Sequence, residues 1–254
     1  MFPIWTVPDR AHGITHSWRA GFISLFFPEK CPFCQSLVTL EGEEKTGLCR
    51  DCVEAVEWIT TPYCSRCGKP FPTGATAHLC SDCLQEKHAF DQSLSAVFYE
   101  GIMAEAIQRF KYHGDIKLTA PLSRLWEKMD LEDLSFEAII PVPLHPARLR
   151  KRGFNQALLL GKILGRTTNK KVLPRALRRI RNTIPQVQLG HSERERNVRG
   201  AFAVSRQQEI KDKNLLLVDD VFTTGATVNE CAKVLKKSGA RQVFVLTLAR
   251  VGAR

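Results

Sequence analysis

Residues 215–239 read LLLVDDVFTTGATVNECAKVLKKSG, and their order decides the fold. Leu215, Leu216, Leu217 and Val218 form an apolar run of strand length without polar alternation, the pattern of a strand buried on both faces of a parallel sheet. Asp219 and Asp220 stand at its carboxyl end. A hydroxyl-rich turn follows, Thr223-Thr224-Gly225-Ala226-Thr227, and then an amphipathic helix. This order predicts the carboxyl edge of an α/β sheet, where ligands of such sheets bind. Backbone N–H groups at a helix start carry roughly half a positive charge and suit a phosphate. The two carboxylates would repel that phosphate and instead suit the hydroxyls of an attached sugar. Phosphate on one side and vicinal diol on the other describe a ribose 5-phosphate.

Neither G-x-x-x-x-G-K-[ST] nor G-x-G-x-x-G occurs, so the triphosphate and dinucleotide motifs do not account for the turn. Val218–Thr227 resembles the motif with which type I phosphoribosyltransferases bind phosphoribosyl pyrophosphate (PRPP).

Outward from this stretch, Leu94–Tyr99 alternates like a strand. Ile102–Tyr112 sets Ile102, Ala106, Ile107 and Phe110 on one helical face and ends at Gly114. His113 reads as a solvated helix-end residue. Ile116–Met129 is expected as a second helix, Phe136–Val142 as a short strand, and Phe154 to about Thr167 as a helix. Gly200–Val204 and Val243–Leu248 complete the strands. Cys231 shares the buried stripe of its helix with Val228 and Leu235, so it reads as core.

Between Pro141-Val142-Pro143 and the helix at Phe154 lies a basic loop, with Arg148, Arg150, Lys151 and Arg152 in five positions and Gly153 behind them. Arginines there can grip a pyrophosphate in bidentate fashion, or a nucleic-acid backbone. Arg175–Arg199, which carries Arg178, Arg179, Arg181, Arg194 and Arg196, is polar and weakly periodic. It reads either as an irregular lid over the phosphate site or as an extended nucleic-acid contact strip. Residues 141–200 hold 15 Lys/Arg against 2 acids, a balance of +13 in a chain of net charge +11, leaving −2 for the remainder. Basicity so confined is a site, not a general surface property. Phe154 is the one aromatic residue in that stretch. Bases of a single strand would therefore stack on Phe33, Trp58, Tyr63 and Phe71 nearer the N-terminus.

Those four lie among eight cysteines in C-x-x-C pairs: Cys31/Cys34, Cys49/Cys52, Cys64/Cys67 and Cys80/Cys83. Two thiolates from one tight turn reach a tetrahedral zinc ion and a second turn completes it, so two structural Zn(Cys)₄ sites are expected. The lysine-rich chain without a secretory signal argues against disulfides. Pairing of the motifs is either sequential or interleaved. The expected division is 1–90, an N-terminal segment and double zinc ribbon, and 91–254, the α/β domain. The first thirty residues hold a short helix over Trp18–Phe27 at most. No apolar run nears the length of a membrane span. Gly21–Phe27 is short for a signal peptide and lacks a cleavage site. A cytoplasmic protein is expected.

Taken together these parts resemble the ComF family, competence-associated phosphoribosyltransferase-like proteins with an N-terminal zinc module. The resemblance covers about residues 22–250. It is carried by the C-x-x-C set, Pro141-Val142-Pro143-Leu144-His145, Arg152-Gly153-Phe154-Asn155-Gln156, Thr183 to Phe202 and Val218–Thr227. It implies a type I phosphoribosyltransferase-like parallel sheet with helices on both faces. It also implies PRPP with Mg²⁺ as ligand, and a role in handling single-stranded DNA during natural transformation, alongside a competence helicase or DNA-processing proteins. By position, Asp219 and Asp220 would meet the ribose hydroxyls. Thr223, Thr224, Gly225, Ala226 and Thr227 would wrap the 5-phosphate, and Arg148–Gly153 the pyrophosphate. Enzymes of this type grip their acceptor with a hood. Neither the cysteine-rich module nor the residues past the last strand reads as one, so PRPP binding is expected, and turnover on an unidentified small-molecule acceptor stays open.

Overall fold

The structure, a computed structural model, describes residues 30–37, 48–72, 74–131, 134–184 and 190–252. The helix expected over Trp18–Phe27 and the Pro185-Gln186 part of the motif lie outside these residues. The cysteine-rich region contributes two one-turn helices, α1 (Arg50–Glu54) and α2 (Ser81–Gln85). Strand β1 (Gln92–Phe98) and helices α3 (Gly101–Tyr112) and α4 (Thr119–Arg124) follow. Next come β2 (Ala138–Pro141), α5 (Pro146–Arg152), α6 (Gln156–Thr167) and the short β3 (Lys171–Val172). After them lie β4 (Leu177–Arg179), α7 (His191–Val198), β5 (Phe202–Val204) and α8 (Gln207–Ile210). The chain then runs through β6 (Asn214–Phe222), α9 (Ala226–Lys237) and β7 (Gln242–Arg250).

Five strands make one sheet in the order β1-β7-β6-β2-β3, every pair parallel. Leu215, Leu216, Leu217 and Val218 are fully buried at its centre. Full burial of each such side chain contributes about 1.5–3 kcal/mol. Leu216 and Val218 face one core with Ile107, Phe110, Leu122 and Leu125, whereas Leu215 and Leu217 face a second with Val228, Cys231, Ala232 and Leu235. Helices therefore cover both faces, as the apolar run requires. From β6 the chain moves to β7 on one side, and from β2 to β3 on the other. Their carboxyl ends open a crevice at this reversal, the switch point where such sheets take ligands.

Several expectations need correcting. Strand β6 does not stop at Val218 but runs through both aspartates to Phe222, because β7 keeps pairing beside it as far as Arg250. Ile116–Met129 is not one helix but α4 flanked by 3-10 turns at Ile116–Leu118 and Leu125–Lys128. Pro121 lies within this segment and cannot donate to a helical ladder. Arg148–Gly153 is not a loop. His145 caps α5 by accepting the Ala147 N–H on Nδ1 (3.2 Å), Pro146 takes the first helical position, and Gly153 closes the helix at φ +82°. Arg175–Arg199 is also more regular than a lid of coil: β4 pairs antiparallel with β5, and α7 lies between them in sequence.

The cysteine-rich region is joined to the edge of the sheet by backbone bonds. Ile59 N–H donates to the Ala96 carbonyl (2.9 Å), Phe98 N–H to Glu57 (2.9 Å) and Ser93 N–H to Arg66 (2.7 Å). A Cβ at Gly68 would run into the Ser93 carbonyl oxygen, so only glycine admits this approach. Edge strand β1 is thereby covered.

Candidate functional site: the carboxyl edge and two cysteine centres

The thiols of Cys31, Cys34, Cys49 and Cys52 gather in one cluster and those of Cys64, Cys67, Cys80 and Cys83 in another, each with all ligand atoms within 4.8 Å of one another. Pairing is thus sequential. Cys34 Sγ lies 3.5 Å from Cys49 Sγ, and Cys67 Sγ 3.7 Å from Cys80 Sγ. Four thiolates at ~2.3 Å from a tetrahedral zinc ion stand about 3.8 Å apart, so the donor set fits Zn²⁺ and leaves no open position. Local folding explains the fit. Cys49 and Cys80 are the N-caps of α1 and α2, which returns Cys52 and Cys83 one turn later to the same side. The cap amides point at sulfur: Cys49 N–H to Cys31 Sγ (3.4 Å) and Cys80 N–H to Cys64 Sγ (3.3 Å). Both are structural zinc sites. The second is the better enclosed, its four cysteines all buried, whereas Cys34 is exposed.

At the carboxyl edge, strand alternation separates the two aspartates. Asp220 falls on the side of α3, where Lys111 Nζ meets its carboxylate at 2.7 Å. Asp219 falls on the side of α9, near Cys231 and Arg179. Burial, and the charge of Asp220 behind it, push the Asp219 carboxyl up to about 7, against relief from Lys111, the Asp220 amide and Arg179. Burial works against the Lys111 ammonium, yet the charge and hydrogen bond of Asp220 hold it above the ordinary lysine value. Lys111 escaped the sequence reading, which ended its helix there. Its signal was present: Lys111 lies four residues past Ile107 and continues the apolar stripe, so a cation there needs a buried partner.

Arg148 and Arg152 are one helical turn apart on α5 and so share a face. Arg148 donates to the Thr183 carbonyl (2.6 Å), and Arg152 to Gln156 Oε1 (2.8 Å). Arg179 on β4 is buried, bonds the Thr183 hydroxyl, and lies 5.2 Å over the Phe202 ring. Burial and then the charge of Arg152 lower Arg148. Burial and then the charge of Arg148 lower Arg179 to about 10. The buried Nε of Arg179 has no hydrogen-bond partner among the described residues. Three guanidiniums that repel one another beside a carboxylate pair describe a place for a polyanion.

The other predicted cations lie around them, and the charge of Arg181 also bears on Arg179. Arg150 and Lys151 are exposed on α5, and Arg178 is exposed on β4. Arg181 Nη2 donates to the Asn197 and Arg199 carbonyls (2.9 and 2.6 Å) and so ties the end of β4 to α7. Arg194 and Arg196 sit on α7. The turn from Thr223 to Gly225 leads into α9, with Thr224 Oγ1 accepting the Ala226 N–H (3.3 Å) and Thr227 in the first turn. Gly225 has φ +77°, and a Cβ there would lie 2.6 Å from the Phe222 ring, so the turn requires glycine twice over. Among the described residues only the cysteine sets gather three or more metal-ligating side chains. Mg²⁺ at this edge would thus depend on phosphate oxygens and water besides Asp219 or Asp220. Of the aromatic residues expected to stack bases, Phe33 is buried in the core and Phe71 is stacked on His78 at 4.1 Å. Trp58 carries Lys128 at 4.8 Å, and Tyr63 is half-buried. No helix among the described residues is long and apolar enough to cross a membrane.

Comparison with known proteins agrees with this architecture. The double zinc ribbon domain family matches residues 22–84, and the phosphoribosyl transferase domain family matches residues 163–254. Competence protein F of Haemophilus influenzae is 33% identical over 232 residues, covering 89% of this chain and 98% of that protein. Competence protein ComFC of Bacillus subtilis is 29% identical over 227 residues, covering 85% and 88%. DNA utilization protein YhgH of Escherichia coli K12 is 31% identical over 236 residues, covering 89% and 99%.

Proposed function

The chain belongs to the competence protein F (ComF) family, and from that premise we propose that it binds PRPP with Mg²⁺ at the carboxyl edge of its sheet and uses the same cationic face to handle single-stranded DNA during uptake. The carrying observation is the run of facing charges from Arg152 through Arg148 and Arg179 to Asp219, at the carboxyl end of β6. In this reading the turn Thr223–Thr227 takes the 5-phosphate on the start of α9. The carboxylate pair takes the ribose hydroxyls, and the guanidiniums take the pyrophosphate in bidentate fashion. Lys111 holds the Asp220 side chain in place until the ligand arrives. Bound Mg²⁺ would neutralise phosphate charge that otherwise faces the carboxylates.

Arg150, Lys151 and Arg178, exposed around this crevice, extend the positive field along a nucleic-acid backbone. They contribute phosphate contacts and no sequence preference. The domain division at residue 90 belongs to the same proposal: the zinc module closes the sheet edge at β1 and leaves the ligand edge open.

Calorimetric titration of PRPP with Mg²⁺ tests the reading. Saturable binding is expected for the wild type, weakened at least tenfold in Arg148→Gln and in Asp219→Asn. Absence of saturable binding in the wild type would overturn it.

A further inference from the structure

We propose that Tyr112 is a stacking platform for an unpaired nucleobase at the rim of the carboxyl edge, an inference that rests on the proposed nucleic-acid handling and deepens it. Tyr112 ends α3, directly after Lys111, the partner of Asp220. It is 62% exposed, more than any other residue of α3 that carries an aromatic ring. A large ring left in water at the mouth of a cationic crevice serves no core. Phe110, two residues earlier, is fully buried and packs on Phe154 at 5.7 Å.

The ring is also held and polarised. Arg152 lies 5.1 Å over its centroid while donating to Gln156, and Gln156 in turn donates to the Lys111 carbonyl (3.4 Å). One face of the ring is thus backed by a fixed guanidinium, and the exposure leaves the other for a planar ligand. An aromatic face so backed accepts any base, since every base has a π-face. Further apolar surface lies close in the chain to the cation cluster. Leu149 (41% exposed) follows Arg148, Ile184 (56% exposed) follows Thr183, and the Arg148–Thr183 bond joins the two segments. Phosphates of a strand would meet the guanidiniums while its bases meet Tyr112, Leu149 and Ile184. Sequence reading had only Phe154 to offer within the basic stretch; the fold brings Tyr112 to that stretch from thirty residues upstream.

The base could belong to a DNA strand or to a free nucleobase or nucleoside. Fluorescence anisotropy with labelled oligothymidylate, and with an abasic strand of equal length and charge, distinguishes them, together with calorimetry using free thymidine and adenine. Tyr112→Ala is expected to weaken the base-bearing strand about fivefold or more, the lower end for one base–aromatic stack. The abasic strand should weaken less than twofold, and Tyr112→Phe should restore wild-type affinity. Free base binding lost in Tyr112→Ala would assign the platform to a small ligand. Equal affinity of wild type for the two strands, or an equal loss on both in Tyr112→Ala, would overturn the proposal. PRPP titration of the wild type reports the phosphoribosyl site separately, so failure here leaves that reading intact.

Discussion

The two ends of this molecule treat buried charge in opposite ways. In the cysteine centres the groups complement one another: four sulfurs surround the place of one ion, cap amides point at sulfur, and Arg250 Nη1 donates to the Cys67 carbonyl (2.7 Å), although its Nε, like that of Arg179, has no partner among the described residues. At the carboxyl edge like charges are left beside one another. Arg148, Arg152 and Arg179 repel one another, Arg179 keeps a buried Nε without a partner among the described residues, and Asp219 is held protonated up to about pH 7. A region that completes its own chemistry holds a fold together, whereas one that leaves like charges facing each other has been shaped for something that arrives.

Stripping zinc gives the largest expected effect. Apparent zinc-binding free energies of about 10 kcal/mol or more exceed what these short segments could supply alone. A chelator should release two equivalents in two phases, the faster from the centre that contains exposed Cys34. Loss of the second should lower Tm most, because Arg66 and Gly68 meet Ser93 on edge strand β1 and Cys67 accepts from Arg250 at the end of β7. Release in a single phase, read with a zinc indicator, would erase the distinction between the centres.

Lys111→Met comes next. It leaves the Asp220 carboxylate without its counter-ion at a site where Lys111 is 18% and Asp220 10% exposed. Breaking such a pair costs on the order of 3 kcal/mol. Denaturant unfolding checks this, and the double variant Lys111→Met/Asp220→Asn should recover much of the loss.

An effect of comparable size is expected of Asp219→Asn, and it depends on pH. The folded carboxyl titrates near 7 against an ordinary 3.8, so the native state binds the extra proton. Stability should therefore fall as pH rises from about 4 to about 7, and the penalty is fully present above 7. Asp219→Asn should raise Tm at pH 8 and leave it unchanged at pH 4, with roughly 3 °C for each kcal/mol regained. An equal shift at both pH values would mean that Asp219 is not held protonated.

Much of this was legible in the sequence because its signals are local. Leu215–Val218 reads as a doubly buried strand from its lack of polar alternation, and four C-x-x-C turns read as metal knuckles in a chain of this composition. What escaped depends on where helical faces point. Arg148, Arg150, Lys151 and Arg152 look alike as a basic run, and only the unexpected helix α5 leaves Arg148 and Arg152 half-buried and Arg150 and Lys151 exposed. Arg181 reads as a phosphate ligand until Asn197 and Arg199 take its donors. Phe33 reads as a stacking ring until the first zinc centre draws it into the core. The pairing of zinc motifs was not fixed by spacing, which makes the sequential arrangement simplest but permits the interleaved one. Lys111 and Tyr112 required knowing which elements meet at the crevice.

The claim that one cationic edge serves both PRPP and a nucleic-acid strand is tested most directly by competition. The affinity of a single-stranded oligonucleotide would be measured across a salt series, with and without saturating PRPP and Mg²⁺. If Arg148, Arg152 and Arg179 are shared, PRPP should weaken binding and reduce the salt slope by about 2, near 0.7 for each displaced phosphate contact. Affinity and slope both unchanged by PRPP would place the two ligands on separate surfaces and contradict the account.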